Sequence, residues 1–473
     1  MGGFVGRTRE LDDLRAQLDV VAAGDRDARG VAVLVRGRRR VGKSRLAEDF
    51  AHRSGVPHMT FQATRGAPVE QEYAAIAAAV AASNLPGAGI ASGNTPRTFG
   101  AALALLAAAL PDDQPSVVVL DEVPWLLEGI PGGAGELQRA WDRTLSRRPV
   151  LLLLLGSDLA MMEQLTRPEQ PFHGRGVEMV LDALSPRDVA RMAGLDGIAA
   201  FDAYLITGGQ PLIAQEWRHG EAPGEFLARS FGSSLSALVV SGTRVLDAEF
   251  TESEVTRRVL TAIGDGERTF STIQAASGGL QPTSLTRALG TLTTTRVVAA
   301  DVPLSVSPSR EKRYRIADPA LRFWLPFVQT ALHEVDRARP DLAIARVEWS
   351  FSTWRGRAVE PLVREAVHRL LVGTEWAGVG EVGGWWPRSS TPEIDLVATD
   401  RRPAQHIAFV GTVKWRPRAP VAPDEIARLV VDAQSVPGVT PDTPVVAVCP
   451  AGVSTSVQVA RAWTADDLLE AWP

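Results

Sequence analysis

The chain has 473 residues, a length that exceeds one hydrophobic core, so we expect two to four domains. Its 45% hydrophobic and 22% charged residues are typical of globular proteins, and the formal net charge of -5 excludes an overall basic field for nucleic acid. A single cysteine, Cys449, and the lack of an apolar run long enough to span a bilayer favour a reducing cytoplasm over export or the membrane.

The segment from Gly30 to Ser157 alternates short apolar runs with helical patterns. The runs read VAVLV, HMTFQA, SVVVLD and PVLLLLLGS. Apolar runs without a polar alternation indicate strands that are buried on both faces, as in a parallel sheet. The sequence therefore predicts an α/β fold for the first part of the chain.

The pattern from about Ser185 to Glu249 is helical. Ser185 reads as an N-cap, Pro186 occupies the first helical position, and Asp188 makes the first turn acidic. We expect this region to form a helical lid.

Between Glu252 and Ile316 the sequence shows three short helical patterns followed by two strand-like runs, which is the order of a winged helix. The recognition helix would run from Pro282 to Thr293 and offers one cation, Arg287. The wing adds four cations: Arg310, Lys312, Arg313 and Arg315. This is a weak basic patch, and both DNA binding and protein packing stay open for the module.

The last part of the chain alternates again. A helix carrying Glu360 precedes two tryptophans, two strand-like runs, EIDLVAT and HIAFVGTVKW, a helix near Asp424 and the run VVAVCP. This alternation predicts a small α/β domain.

A phosphate-binding motif directly follows the first apolar run. Residues 37–44 fit G-x-x-x-x-G-K-[ST], and a helical pattern begins at Lys43. The glycines let backbone N–H groups surround a β-phosphate, Lys43 reaches the β- and γ-phosphates, and the Ser44 hydroxyl is suited to Mg²⁺. We assign nucleotide binding to Gly37, Arg38, Arg39, Arg40, Val41, Gly42, Lys43, Ser44 and Arg45. The alternative for the loop arginines is that most are solvated or paired with acids.

Two acids end the run SVVVLD-E. Asp121 is placed to hold the magnesium shell, and Glu122 is the candidate general base that polarises the attacking water. The alternative is an acid pair at a helix N-terminus, with Glu122 solvated.

Two further residues are candidates for contacting the γ-phosphate. Ser157 ends the run PVLLLLLGS, at the sheet edge where ligands bind in open α/β folds. Arg175 follows a proline-containing loop and is a candidate arginine finger with a catalytic role. A turn serine and a surface arginine are the alternatives.

Five segments together resemble the archaeal and bacterial STAND-class ATPases of the AAA-like P-loop group. They read FVGR with EL at 4–11, the P-loop, LDE at 120–122, FHGR at 172–175 and TGGQP at 207–211. The resemblance implies that Phe4, Val5 and Arg7 lie near the adenine and that Pro211 in the lid senses the nucleotide state.

The segment YRIADPALRFW at 314–324 looks like the signature with which the same family enters a C-terminal domain of unknown function. That domain is similar to restriction-endonuclease-like nucleases. The matching positions are Glu360, Glu393, Asp395, Thr412 and Lys414.

The match to a nuclease site is incomplete. On a strand, Glu393 and Asp395 face one side, as do Thr412 and Lys414, so a two-carboxylate-plus-lysine site is geometrically feasible. The family pattern has a carboxylate where this chain has Thr412, and a neutral hydroxyl is a poorer Mg²⁺ ligand. The sequence favours a degenerate, non-cleaving domain, while compensation by Glu393 leaves a live nuclease as the alternative.

These observations combine into one expectation. Residues 1–182 form a P-loop ATPase core, 183–250 a helical lid, 251–335 a winged helix and 336–473 a restriction-endonuclease-like domain. We expect a slow ATPase with ATP and Mg²⁺ as cofactors, whose nucleotide state controls domain arrangement or assembly. A homo-oligomer and DNA are the candidate partners besides ATP and ADP. The alternatives are an ATP-controlled DNA nuclease and an ATP-stabilised scaffold.

Overall fold

The computed structural model describes residues 5–24, 30–157, 159–170, 172–249, 254–264, 266 and 268–473. The chain divides into two compact units, Met1–Ala183 and Leu184–Pro473. Among the described helices, none combines the length and the apolarity that crossing a bilayer requires.

The first unit is a sheet covered by helices. Its strands are β1 (Val31–Arg36), β2 (His58–Gln62), β3 (Ser116–Asp121), β4 (Val150–Gly156) and β5 (Gly176–Val180). Its helices are α1 (Thr8–Ala23), α2 (Lys43–Arg53), α3 (Val69–Ala82), α4 (Phe99–Ala109), α5 (Val123–Gly129), α6 (Gly133–Arg143) and α7 (Leu159–Thr166), with 3₁₀ turns at Ala88–Ala91 and Leu145–Arg147.

All pairs in this sheet are parallel, in the order β2-β3-β4-β1-β5. Alternate residues of β3 enter different cores, with Val117 and Val119 on one face and Val118 and Leu120 on the other. Burial on both faces explains why β1, β3 and β4 have no polar alternation and confirms the predicted parallel α/β fold. The sequence pattern did not predict the edge strand β5.

The second unit begins with helices. These are α8 (Pro186–Ala193), α9 (Gly197–Thr207), α10 (Pro211–Ala214), α11 (Pro223–Phe231), α12 (Ala237–Glu249), α13 (Glu254–Gly264), α14 (Phe270–Ala276) and α15 (Pro282–Thr294). The antiparallel hairpin of β6 (Val298–Asp301) and β7 (Arg313–Ile316) follows. The capping box that Ser185 and Asp188 form at α8 confirms the N-cap prediction. Three helices followed by a hairpin are the order of elements expected for a winged helix. The assignment to that fold stays a prediction.

A mixed sheet forms the rest of the second unit. Its leading helices are α16 (Pro319–Phe323), a π-helix (Trp324–Val328), a 3₁₀ turn (Gln329–Ala331), α17 (Leu332–Asp336) and α18 (Pro340–Leu370). They precede β8 (Glu381–Trp385), β9 (Ile394–Thr399), β10 (Ile407–Val413), α19 (Pro423–Ala433), β11 (Val445–Val448), β12 (Arg461–Trp463) and α20 (Ala465–Leu469). The strand order is β12-β11-β10-β9-β8, with β8 to β10 antiparallel and β10 to β12 parallel.

The helices that begin the second unit share a hydrophobic core with the end of the chain. Phe201 of α9 is fully buried, with its ring centroid 5.0 Å from that of Trp415 and 6.4 Å from that of Trp472. The backbone N–H of Gly197 donates to Oδ1 of Asp466 at 2.8 Å. The region predicted as a lid and the C-terminal residues therefore pack as one body.

A glycine brings the turn after α9 against α16. Gly208 has a left-handed φ of 60°, and a Cβ there would lie 2.2 Å from the backbone nitrogen of Ala320. Only glycine allows this approach, so the TGGQP turn touches the start of the segment DPALRFW.

Candidate functional site

The P-loop joins β1 to α2, as the motif indicates. A Cβ on Gly37 would lie 2.3 Å from the carbonyl oxygen of Leu181, so the first glycine is required by its contact with the chain after β5. The second, Gly42, has a φ of 93°, a left-handed conformation that glycine adopts without strain. Both motif glycines thus shape the loop for physical reasons.

Lys43 is buried at the mouth of this loop, with 6% of its surface exposed. Its Nζ donates to the carbonyl oxygens of Gly37 at 2.8 Å and Arg38 at 2.9 Å. Burial lowers the pKa of Lys43 to about 8, while the nearby carboxylates of Glu122 and Asp121 oppose the shift. A buried cation is thus held inside the loop by its carbonyl oxygens.

The serine after this lysine is joined to the end of β3. Oγ of Ser44 donates to Oδ2 of Asp121 at 2.6 Å, and Oδ1 of Asp121 accepts from the backbone N–H of Glu122 at 2.8 Å. Glu122 adopts a left-handed φ of 53°, which is uncommon for a residue with a side chain and is found where surrounding structure imposes it.

The carboxylate of Glu122 contacts the end of β4. Its Oε2 accepts from Oγ of Ser157 at 2.9 Å and from the Ser157 backbone N–H at 3.3 Å. The structure therefore brings Lys43, Ser44, Asp121, Glu122 and Ser157 to one edge of the sheet, with Glu122 half-buried and bonded to Ser157.

Arg7 lies beside the same loop. It is buried and donates to the carbonyl oxygens of Val41 at 2.9 Å and Asp182 at 2.5 Å. Val5 is exposed, and Phe4 lies outside the described residues. Arg7 thus fixes the N-terminal segment to the P-loop, while the adenine contact of these residues stays a prediction.

The remaining loop cations are arranged differently from one another. The guanidinium of Arg39 lies 5.8 Å from the ring centroid of Trp125, Arg40 has a φ of 69°, and Arg45 is exposed on α2. Arg38 and Arg40 have interaction partners within the fold. Direct nucleotide contacts by these residues remain predictions.

Arg175 is held by a carboxylate. Its Nε and Nη2 donate to the two oxygens of Asp142 at 2.8 and 3.0 Å, which is a bidentate pair. A role as an arginine finger requires this pair to break. Pro211 lies in the second unit as the first residue of α10, and its sensing role stays a prediction.

The nuclease-like positions lie in the second unit, and arginines bind two of their acids. Oε2 of Glu360 accepts from Nη2 of Arg364 at 3.0 Å, and Oε1 of Glu393 accepts from Nη1 of Arg313 at 2.6 Å. Burial raises the pKa of Glu360 to about 7, against the opposing effect of Arg364.

Asp395 is bound by neutral donors. Its Oδ2 accepts from Oγ1 of Thr412 at 2.9 Å and from the backbone N–H of Val413 at 2.8 Å. Thr412 thus serves as a hydrogen-bond donor to the acid. Within the part of the chain that the structure describes, no group of three or more His, Cys, Asp or Glu side chains is arranged to hold a metal ion.

Two sequence expectations at this site were wrong. Glu393 precedes β9, so it does not alternate with Asp395 on a strand, and its side chain turns to Arg313. Lys414 does not alternate with Thr412 on a strand, because β10 ends at Val413. Lys414 follows β10, and its N–H donates to the carbonyl of Val448.

Several residues at these sites escaped the sequence reading. Arg364 lies four residues after Glu360 on α18, a spacing that pairs opposite charges and that was a usable signal. The sequence predicts Arg313 as a wing cation, and nothing local in the sequence indicates its contact with Glu393.

Comparison with known proteins supports the fold. A family described as archaea bacterial proteins of unknown function matches residues 324–425. A protein of Methanocaldococcus jannaschii, Uncharacterized protein MJECL04, is 22% identical over 312 residues, which cover 63% of this chain and 67% of that protein.

Two solved archaeal structures are also similar. The Walker-type ATPase PABY2304 of Pyrococcus abyssi is 18% identical with a TM-score of 0.50, covering 68% of this chain and 96% of its own. The Aeropyrum pernix ORC2 protein is 17% identical with a TM-score of 0.42, covering 73% and 96%. The first likeness shows that this chain has the fold of a P-loop ATPase.

Proposed function

We propose that the protein binds ATP with Mg²⁺ at the P-loop and hydrolyses it slowly, as a conformational switch. One observation carries the proposal. The side chains of Lys43, Ser44, Asp121, Glu122 and Ser157 are brought together at the carboxyl ends of β1, β3 and β4. This is the edge at which ligands bind in open α/β sheets.

The residues fit the chemistry of a magnesium nucleotide. Lys43 exchanges its contacts with two loop carbonyls for the phosphates, since a cation gains more from full negative charges than from peptide dipoles. Ser44 and Asp121 are oxygen donors of the kind that Mg²⁺ takes, and the ion neutralises phosphate charge when bound.

Slow turnover follows from the contacts of the base. Glu122 orients and deprotonates water only if its carboxylate is free to accept, whereas Ser157 occupies one of its oxygens. We propose that the hydroxyl of Ser157 turns to the γ-phosphate and so frees the base. Phe4, Val5 and Arg7 complete the adenine end, and Arg175 joins the phosphates after leaving Asp142.

Nucleotide binding is tested with Lys43→Ala. We expect tight binding of magnesium ATP in calorimetry to be lost, because the loop loses its buried cation. The control is Arg53→Ala, which removes an exposed cation from the other end of α2. Equal affinity of Lys43→Ala and wild type would contradict the assignment of the phosphate site.

Hydrolysis is tested with Glu122→Gln. Binding is retained and turnover falls by about 10²-fold or more, the usual contribution of a positioned base. Glu128→Gln on the exposed side of α5 is the matched control. Unchanged turnover in Glu122→Gln would move the base elsewhere.

We propose that the C-terminal domain is a degenerate nuclease fold used for interaction. The support is that Thr412 replaces an acid and that arginines pair with Glu360 and Glu393. The second candidate is an ATP-controlled nuclease, which the retained Asp395 and Lys414 favour. In either case the nucleotide state would control domain arrangement or homo-oligomer assembly, with Pro211 as the sensor.

A further inference from the structure

The β6–β7 hairpin inserts a buried arginine into the acid site of the C-terminal domain. Arg313, at the start of β7, has 6% of its surface exposed. Its guanidinium lies 4.4 Å from the ring centroid of Trp386 and donates to Glu393 at 2.6 Å. A guanidinium that is both paired and stacked on an indole is well satisfied in a buried position.

This contact belongs to a larger charge cluster. Glu360 lies within electrostatic range of Glu393 and Asp395. It pairs with Arg364, whose Nε also donates to the carbonyl oxygen of Asp395 at 3.1 Å. Arg268 lies just before α14, and its carbonyl oxygen accepts from the backbone N–H of Tyr314 in β7 at 2.7 Å. Burial lowers the pKa of Arg268, and the carboxylate of Glu393 opposes this.

One part of the hairpin interface borders a cavity. A cavity of about 380 Å³ lies between the hairpin and the domain. Its walls include Asp301, Leu304, Arg315, Arg364, Glu381 and Trp386. Atoms that line a cavity lack packing partners, so dispersion holds this interface less firmly than a filled one.

The hairpin loop has further attachments to the domain. Leu304 and Val306 pack into its hydrophobic core, and the N–H of Val306 donates to the carbonyl of Pro437 at 3.3 Å. The N–H of Leu304 donates to the carbonyl of Gly384 at 2.9 Å, and the Leu304 side chain packs against Gly383. To these contacts the Arg313–Glu393 pair adds a charged and directional attachment of the hairpin to the domain.

Docking also governs which hairpin cations face solvent. Arg310 and Lys312 are exposed, Arg315 pairs with Asp301 of β6, and Arg313 is buried. In the docked state the four hairpin cations do not form one accessible strip. An undocked hairpin would add Arg313 to the exposed Arg310 and Lys312, while Arg315 stays paired with Asp301 of the same hairpin.

We propose that the Arg313–Glu393 pair is a latch that holds the hairpin on the acid cluster and keeps Arg313 from joining Arg310 and Lys312 in a surface that binds duplex DNA. Opening the latch frees Glu393 and exposes Arg313 in the same movement. This inference does not rest on ATP hydrolysis, so its failure would leave the proposed ATPase function untouched.

The latch is tested with Glu393→Gln in the full-length protein. This change leaves Arg313 buried beside a neutral amide, which disfavours the closed state, so the hairpin opens to solvate the cation. We expect amide hydrogen exchange in residues 298–316 to be at least about tenfold faster than in wild type, because a weakened attachment lowers the free energy of local opening. Arg313→Gln should give the same acceleration.

DNA affinity is the functional readout. Fluorescence anisotropy with a short labelled duplex at low salt should show binding that is at least about fivefold tighter for Glu393→Gln, with a steeper salt dependence from the released Arg313. Glu365→Gln is the charge-matched control, because Glu365 is an exposed acid of α18 that pairs with Arg369 and not with Arg313. The doubly reversed variant Arg313→Glu/Glu393→Arg should restore slow exchange.

Three results would overturn the latch. The first is unchanged hairpin exchange in both Glu393→Gln and Arg313→Gln. The second is an affinity gain as large in Glu365→Gln as in Glu393→Gln, which would reduce the effect to net charge. The third is faster exchange without any gain in DNA affinity, which would show that the hairpin is not a restrained polyanion-binding surface.

Discussion

The buried pair between Asp202 of α9 and Arg355 of α18 makes the stability of the second unit depend on pH. Oδ2 of Asp202 accepts from Nη1 of Arg355 at 2.9 Å, and the two side chains are 10% and 13% exposed. Burial raises the pKa of Asp202 from 3.8 to about 6, and the charge of Arg355 only partly opposes this. Desolvation of the carboxylate therefore outweighs the ion pair.

The sign and size of the effect follow from proton linkage. Between pH 4 and pH 6 the folded protein keeps a proton on Asp202 that the unfolded chain loses, so this carboxyl destabilises the fold as pH rises through that window. A shift of about two pKa units at 1.36 kcal/mol each gives roughly 3 kcal/mol in full, and about 2 to 2.5 kcal/mol between pH 4 and pH 7.

The assay compares Asp202→Asn with wild type in urea unfolding at several pH values. We expect the free energy of unfolding of the variant to gain about 2 kcal/mol relative to wild type between pH 4 and pH 7, because asparagine has no proton to lose. Asp424→Asn, at an exposed acid of α19, controls for general charge effects. A constant difference, or a relative loss in the variant as pH rises, would refute the dominance of desolvation.

Three further predictions concern single contacts. Phosphate raises the lowered pKa of Lys43, so ATP binding at pH 8 should take up protons and its calorimetric enthalpy should vary with the buffer's ionisation enthalpy; no such variation, or the same variation in Lys43→Arg, would contradict this. In thermal melts, Gly220→Ala should cost about 1 kcal/mol for left-handed strain, and Gly208→Ala clearly more because its Cβ meets the backbone of Ala320; equal losses would argue against the close approach. The purified protein should not cleave plasmid DNA with Mg²⁺, with or without ATP, and cleavage that disappears in Asp395→Ala would restore the nuclease alternative.

The first sheet was predictable because its signals are local. Each buried strand is a continuous apolar run. Asp121 ends β3 and Ser157 directly follows β4, so both must emerge at one edge of a parallel sheet. The pattern does not predict which side chains at this edge are hydrogen-bonded to each other. The hydrogen bond from Ser157 to Glu122 joins residues 35 positions apart and depends on rotamers that no spacing specifies.

The C-terminal site was less predictable because its partners come from distant segments. Glu393 and Arg313 are 80 residues apart in the chain, and each has a plausible local reading, as a strand acid and as a wing cation. Strand β5 also escaped prediction, since a short edge strand with exposed Val177 and Val180 lacks the apolar continuity of its neighbours. Tertiary contacts decided both cases.

The shared core of α9 and the end of the chain also sets an order of folding. The contact between Gly197 and Asp466 closes a loop of 269 residues, and the rings that Phe201 meets in the described structure belong to Trp415 and Trp472. Long loop closures are entropically costly and slow folding. During synthesis, residues of the first unit can complete their sheet while the α9 helix still exposes an unpaired apolar face. The interval before the last strands leave the ribosome is therefore when this chain is most prone to misassociation.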